Sequence, residues 1–501
     1  MSNTQQSKQN GKEFPKFIVL DIVFYGSSLN YDQGVGNYQE LKKITLWNGK
    51  QHTLVSRYAL RYSILQTGKG LSNNSEVWKL ADGSEFERAK KKEEQKEKQG
   101  GTIQPSLKVL LEGKVLEYPE LNLFGYLITT TGVQNFREAP VKISHAISLT
   151  PFNYDTHFCA NIWLARRLVE AGMEASMSPN PFILEEHQTF YVYSVVIDVE
   201  RLAEYEIYLT PEDEREVINS LSGDERLQNL KNEIKRLLDR IKNKANDEDL
   251  EEARKRINSD FFRNSSVEIK EIRNLKNKVL VIKYGFKEEY KIGERVVKKE
   301  EKIKELLETL IKAIINLRRE IKGRVENLSP KVLVVGVYYD GNYDTYKDRI
   351  YLSSQYEEEY EEEVKENGSG KKTVIKRVIK SSKPLFRIFA DGNIIKKEET
   401  LSSEALEEGV LKFIFGNDEA QNSPSGRKPE NYETKNSSSD GNPKNECEHS
   451  KPFDTNKNAN ESGKTVVKRR IEVFHTPDVE VVLEKTPSQD GKSNQTGQEQ
   501  K

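Results

Sequence analysis

The chain has 501 residues, with 79 Lys and Arg against 80 Asp and Glu, a net charge of -1. That balance excludes a globally basic nucleic-acid binder, so any cationic surface has to be local and offset by acidic stretches elsewhere. At 35% hydrophobic and 32% charged, the chain is too polar for one large compact core, and several long segments must be solvated helices, loops or disordered.

Residues 1–14, MSNTQQSKQNGKEF, have no apolar core and read as a disordered N-terminus, neither signal nor transit peptide. No apolar run approaches the ~20 residues that span a bilayer, so no membrane is expected. Cys159 and Cys447 lie far apart without a CxxC pair, which suits a reducing cytoplasm and no structural zinc.

Residues 17–25 read as a buried strand whose only charge is Asp21. The small polar run Gly26-Ser27-Ser28-Leu29-Asn30 lets another backbone come close, and Gly34 and Gly36 permit left-handed turns. Asn37 and Ser56 are good residues to start a helix. From Ser56, SRYALRYSIL places Arg57 and Arg61 at i and i+4, so both guanidinium groups project from one face. Such a face suits phosphate, because guanidinium forks bind its oxygens bidentately and loop N–H groups add donors. On spacing alone a pair like this more often marks a solvated face. GVGN is no dinucleotide fingerprint, since it lacks the third glycine and an immediate helix.

Residues 85–101 form a charged loop. Regular structure resumes at 107–116, with apolar strands at 124–130 and 141–149. Residues 151–188 are irregular, with a short helix at 160–171, and 191–199 is the clearest strand. Residues 211–258 read as helical on an apolar stripe that includes Leu227, Leu230 and Ile234. A strand at 279–284 is followed by an amphipathic helix over 302–324 ending near Gly323, and 331–339 closes the pattern with a buried strand. Helices between strands fit a split βαβ sheet. Residues 354–415 carry a charged hairpin that joins an acidic run to a basic one, Lys371 to Lys383. Residues 416–464 and the tail 487–501 have disordered composition. Between them, 465–486 is a strand pair with a Thr-Pro-Asp turn that can return to the main sheet.

The cations meet small and aromatic residues in these segments. Lys42 and Lys43 follow the glycine loop, Arg57 and Arg61 sit on the helix, and Arg137 and Lys142 flank the strand that carries His145. With Ser27, Asn30, Asn37 and Ser56, they are the candidate contacts to an anionic polymer, whose phosphates need cations along their path. His145, Asp155 and His157 match no zinc spacing, and no nucleophile elbow or phosphate loop occurs, so a non-catalytic protein without cofactor or metal is the simpler expectation.

The order SSLNY, GVGN with a following KK, SRYALRY, LFGYL, then an Arg leading into PVKISHAISLTP resembles the DevR branch of the CRISPR-associated RAMP superfamily, over about residues 17–202 and loosely beyond. The resemblance implies an α+β fold: an RNA-recognition-like (ferredoxin-like) palm over 15–353 with large helical and hairpin insertions, the helical one at 211–325. It implies the crRNA-binding backbone subunit of a type I-B Cascade. Copies would self-associate into a filament along the guide, beside the repeat-handle and large subunits, and target DNA would be met through the guide. A thumb-like loop that kinks the guide falls within 151–188, including Met173, Met177 and Phe182. The alternative is a metal-dependent RNA-cleaving backbone subunit of the same superfamily, and a third reading is a helical scaffold without RNA.

Overall fold

The computed structural model describes residues 14–72, 76–89, 101–129, 131–173, 177, 179–242, 247–275, 278–353, 356–365, 371–381, 383–390, 394–416 and 469–485. The expectations for residues 1–13, for 90–100 of the charged loop, for 417–464 and for the tail lie outside the described residues. The fold is mixed α+β. Among the described residues its main sheet has nine strands: β1 (Phe17–Ser27), β2 (Lys43–Thr45), β3 (Gln51–Val55), β4 (Val141–Ile143), β5 (Ala146–Ser148), β6 (Gln188–Asp198), β7 (Val332–Tyr338), β8 (Ile394–Glu399) and β9 (Arg469–His475). Their order is β8-β9-β7-β1-β6-β5-β3-β2, with β4 also on β6.

β1 sits in the middle because both of its faces are apolar, and a strand buried on both sides needs a continuous hydrophobic run. It pairs antiparallel with β6 from Phe17 opposite Asp198, and with β7 from Phe17 opposite Tyr338. Ile18, Leu20, Ile22 and Phe24 face two helices, α1 (Arg57–Leu71) and α2 (Lys299–Ile315), through Leu60, Ile64, Leu310 and Ile314 in one core cluster. Val23 on the opposite face packs with Phe386, Ile388, Ile471 and Val473. That face is thereby covered by a three-stranded sheet of Ile350–Ser353, Leu385–Ala390 and Glu480–Lys485.

Several elements differ from the sequence expectation. Residues 124–130 are not one strand: Pro119 opens a short helix, Pro119–Phe124, and Gly125 at φ 68° turns the chain into the strand Tyr126–Ile128. The stretch 211–325 is not purely helical, since Val267–Leu275 and Val279–Phe286 join Glu204–Leu209 in a separate sheet. α2 ends at Ile315, and Lys322 and Gly323, at φ 48° and 79°, form the turn of a hairpin, Arg318–Ile321 with Arg324–Asn327. Two left-handed residues in a row are what a two-residue hairpin turn requires. Asn37 starts no helix and lies in the turn before Tyr38. The strands on either side of the Thr-Pro-Asp turn enter different sheets: β9 lies between β7 and β8, while Glu480–Lys485 runs parallel to Leu385–Ala390. Tyr356–Lys365 and Lys371–Ser381 pair as a long antiparallel hairpin. Among the described residues no helix is long and apolar enough to cross a membrane.

Candidate nucleic-acid interface

The start of α1 is held from three sides. The Ser56 hydroxyl accepts from Ala59 N–H at 3.2 Å, which caps the helix, and Ser56 N–H donates to Asn30 Oδ1 at 2.8 Å. Arg57 N–H donates to His145 Nδ1 at 3.1 Å. That nitrogen must be unprotonated to accept, and partial burial together with the Arg57 charge holds the His145 pKa below its ordinary value. Asn30, Ser56 and His145 therefore converge, but each is engaged in positioning the helix.

Beside this helix start lies an open cleft of about 510 Å³, lined among others by Arg57, Arg61, Phe124, Arg137 and Lys142. Its cations are held in different ways. Arg57 is exposed, with its guanidinium 5.0 Å from the Tyr58 ring centre and donating to the Tyr58 hydroxyl at 3.1 Å. Arg61 is half-buried over Phe124 at 4.9 Å, donates to Glu120 O at 3.3 Å, and has its pKa lowered by burial while remaining a cation. Lys142 is exposed and paired with Glu138 at 2.7 Å. Hydrogen bonds from Lys142 and Arg201 pull that carboxyl down to about 2. An exposed pair of this kind adds little stability, so Lys142 can exchange Glu138 for another anion.

Arg137 has to be reassigned. It is buried, and it donates to Asn122 O at 3.3 Å, Asn122 Oδ1 at 2.8 Å, Arg201 O at 2.7 Å and Glu204 O at 2.5 Å. Burial lowers its pKa to about 10. With its donors committed to the protein's own oxygens, it braces the cleft wall and has no free fork for phosphate. Lys43 is similarly committed: it donates to Glu185 at 2.8 Å, lies 4.8 Å from the Phe152 ring centre, and its side chain is mostly buried. Lys42 pairs with Asp32 at 2.9 Å. Neither lines the cleft.

The loop after β1 does not offer the expected open donors. The Ser27 and Ser28 hydroxyls donate to Glu186 at 3.4 and 2.5 Å, Ser28 N–H donates to His187 O at 3.2 Å, and Arg324 donates to the Ser27 and Ser28 carbonyls at 3.0 and 3.2 Å. Asn37 is exposed, and its carbonyl accepts from Ile183 N–H at 2.8 Å. The thumb-like residues lie elsewhere: Met173 and Met177 fall between the paired strands Thr156–Cys159 and Phe182–Glu185, and Phe182 opens the second of them opposite Cys159. Met173, Met177 and Phe182 are exposed, as are Tyr154, Phe158 and Trp163. The helix between them, Ile162–Glu170, buries only Ala165.

Sequence reasoning missed the exposed tyrosines, Tyr58 and Tyr62, and the basic hairpin that carries Arg318, Arg319, Lys322 and Arg324. The repeated Arg-Tyr doublet at spacing four was the available signal for the first, and Lys-Gly between short alternating runs for the second. His145, Asp155 and His157 do not form a metal cluster: among the described residues no group of three His, Cys, Asp or Glu side chains could hold a metal ion.

The family model described as CRISPR-associated negative auto-regulator DevR/Csa2 matches residues 18–361. No curated protein matches the sequence. Among solved structures, the chain is similar to a subunit of a "CRISPR RNA-guided surveillance complex, pre-nicking", at 9% identity and TM-score 0.32 over 66% of this chain and 80% of that one. A second, from a "CRISPR RNA-guided surveillance complex", gives 10% identity and TM-score 0.27 over 66% and 72%. A third, from a "Type IV-B CRISPR Complex", gives 12% identity and TM-score 0.22 over 36% and 71%. Similarity this loose assigns neither fold nor mechanism.

Proposed function

The chain belongs to the CRISPR-associated DevR/Csa2 family, and we propose that it is a non-catalytic backbone subunit of a type I-B Cascade, gripping the crRNA through its ribose-phosphate and leaving the bases free to pair with invading DNA. The observation that carries this reading is the cleft at the start of α1, where Arg57, Arg61 and Lys142 come together against Phe124. Two of these cations, Arg57 and Lys142, are exposed, and the buried Arg137 behind them is committed to the protein's own oxygens. Phosphates would meet Arg57 and Lys142 first, with Arg61 adding its charge from the wall. Such contact is indifferent to sequence, as a subunit that must accept any guide requires.

The strand order supports a ferredoxin-like palm. Taking the four core strands in chain order as β1, β4 with β5, β6 and β7, they lie as fourth, first, third, second, with α1 and α2 on one face. The exposed apolar residues of 154–182 support a thumb that finds its partner in an assembly, either the guide or the next copy along it. The repeat-handle and large subunits are the further partners of this reading, and the cytoplasm its setting.

Arg57→Ala combined with Arg61→Ala should weaken binding about equally for unrelated RNA sequences and reduce the slope of log affinity against log salt by roughly 1.4, two contacts at about 0.7 each. Filter binding at several salt concentrations measures both, with a thermal melt to confirm that the fold survives loss of the Arg61 and Phe124 contact. Unchanged affinity and slope in a folded double variant would place the grip elsewhere. Periodic cutting of complementary RNA by the assembled complex with magnesium would replace the non-catalytic reading by the nuclease one.

A further inference from the structure

α1 continues past the first cleft. Tyr58 and Tyr62 lie one turn apart on its outward side, 64% and 63% exposed, which places their rings on one face next to Arg57 and Arg61. Beyond Tyr62 a second open cleft of about 450 Å³ lies between α1 and the Arg318–Asn327 hairpin. Tyr62, Gln66, Gly70, Arg318 and Glu320 are among its lining residues. A volume of this order suits a nucleobase. The hairpin is tied to the palm: Arg319 donates to Leu29 O at 2.7 Å and to the Ser63 hydroxyl at 3.4 Å, which links the second wall to the loop after β1 and to α1.

We propose that α1 is a continuous track for single-stranded RNA, running from the Arg57 cleft to the hairpin cleft, where Tyr62 stacks on a base and Arg318 meets a phosphate. Such a track presupposes the guide-RNA grip at the Arg57 cleft and lengthens it. The exposed ring supplies the flat surface that any base can use, and Gln66 and Glu320 supply an amide and a carboxylate for a base edge. Arg318 is exposed and makes no ion pair among the described residues, so its fork is available. The helix spans about 22 Å at 1.5 Å per residue, long enough for several nucleotides along one protomer. A protein segment would have to cover the charges of Arg318 and Glu320, neither of them in an ion pair among the described residues, to reach the exposed apolar side chains of Tyr62, Leu71 and Val325.

Gly70 gives a direct test. A Cβ added there meets nothing within 4 Å, so a larger side chain enters the cleft without disturbing the helix. Affinities of the full-length protein would be measured for single-stranded RNAs of increasing length, to find the length at which binding stops improving. Tyr62→Ala and Gly70→Leu should shorten that length and weaken the longer RNAs by between about 5-fold and 100-fold, the range for one stacked base. Tyr62→Phe should retain wild-type behaviour, and Arg318→Ala should lower the salt slope by about 0.7. If Arg57→Ala with Arg61→Ala abolishes binding while the Tyr62 and Gly70 variants keep the full length and affinity, the track stops at the first cleft and this inference falls alone. Loss of self-association in Gly70→Leu with RNA contacts intact would also overturn it, making the cleft a protein interface. A wild-type protein that binds no RNA would overturn both readings together.

Discussion

Asp21 is the one acidic side chain of β1, and it is fully buried on the face away from the helices. Its carboxylate accepts from the Ser194 hydroxyl, from Tyr346 N–H at 2.7 Å and from Lys347 N–H at 3.2 Å, which ties the covering loop to the central strand. Burial outweighs these donors and pushes the carboxyl from 3.8 up to about 6. Between those two pH values the folded state holds a proton that the unfolded chain has lost, so stability from this group is fully present below about 4 and falls as pH rises through 6. The loss is roughly 3 kcal/mol. Asp21→Asn stays neutral throughout, so melting of variant and wild type at pH 4.5 and 7.5 should show the variant gaining relative to wild type at the higher pH. An equal difference at both pH values would mean that folding does not raise the Asp21 pKa, the carboxyl being ionised at both. Arg137 makes a related point with opposite charge: its four protein oxygens, and not its proximity to Lys142, decide what it does.

α1 is the element on which the candidate site depends, and its own seat is set by Gly68. A Cβ there would lie 2.3 Å from the Trp78 ring, which is fully buried and whose Nε1 donates to Leu65 O at 3.1 Å. Gly68→Ala, a favourable change in an exposed helix, should instead destabilise by about 1–3 kcal/mol through overpacking, read as a lower denaturation midpoint by circular dichroism. A midpoint at or above wild type would show that the ring has room to move. The strands and α1 were legible because β1, β6 and β7 carry apolar runs that admit no other burial, and because Ser56 is a strong capping residue directly ahead of the helix. Local pattern could not supply partnership. The 302–324 stretch keeps a helical rhythm only to Ile315, after which Lys322 and Gly323 reverse it. Lys43 and Arg137 read as free cations until Glu185, Asn122 and Glu204, distant in sequence, arrive beside them. The same limit hid the covered sheet face: Phe190 meets Phe386 at 5.1 Å, so this face is not open for bases to stack on.

At the scale of the whole molecule, the family match ends at residue 361, but the main sheet does not. β9 comes from 469–475 and pairs antiparallel with β7 over its full length, from Val332 opposite His475 to Tyr338 opposite Arg469. It also carries β8 as a parallel neighbour. Ile471 and Val473 enter the covering cluster with Val479 and Val481, while Phe474 joins the helix-side core. Arg470 adds donations to Phe413 O at 3.0 Å and the Tyr339 hydroxyl at 3.2 Å. Five buried apolar side chains at about 1.5–3 kcal/mol each amount to roughly 10 kcal/mol, comparable with the net stability of a domain. A chain ending at residue 416 should therefore expose the β7 edge and aggregate, and co-expression of 465–501 as a separate chain should restore soluble protein, because the strand needs only its register and not its covalent link. Size-exclusion chromatography of the truncated chain alone and with the added segment measures this. A truncated chain that stays soluble and melts within a few degrees of the full one would show that β7 closes the sheet without β9.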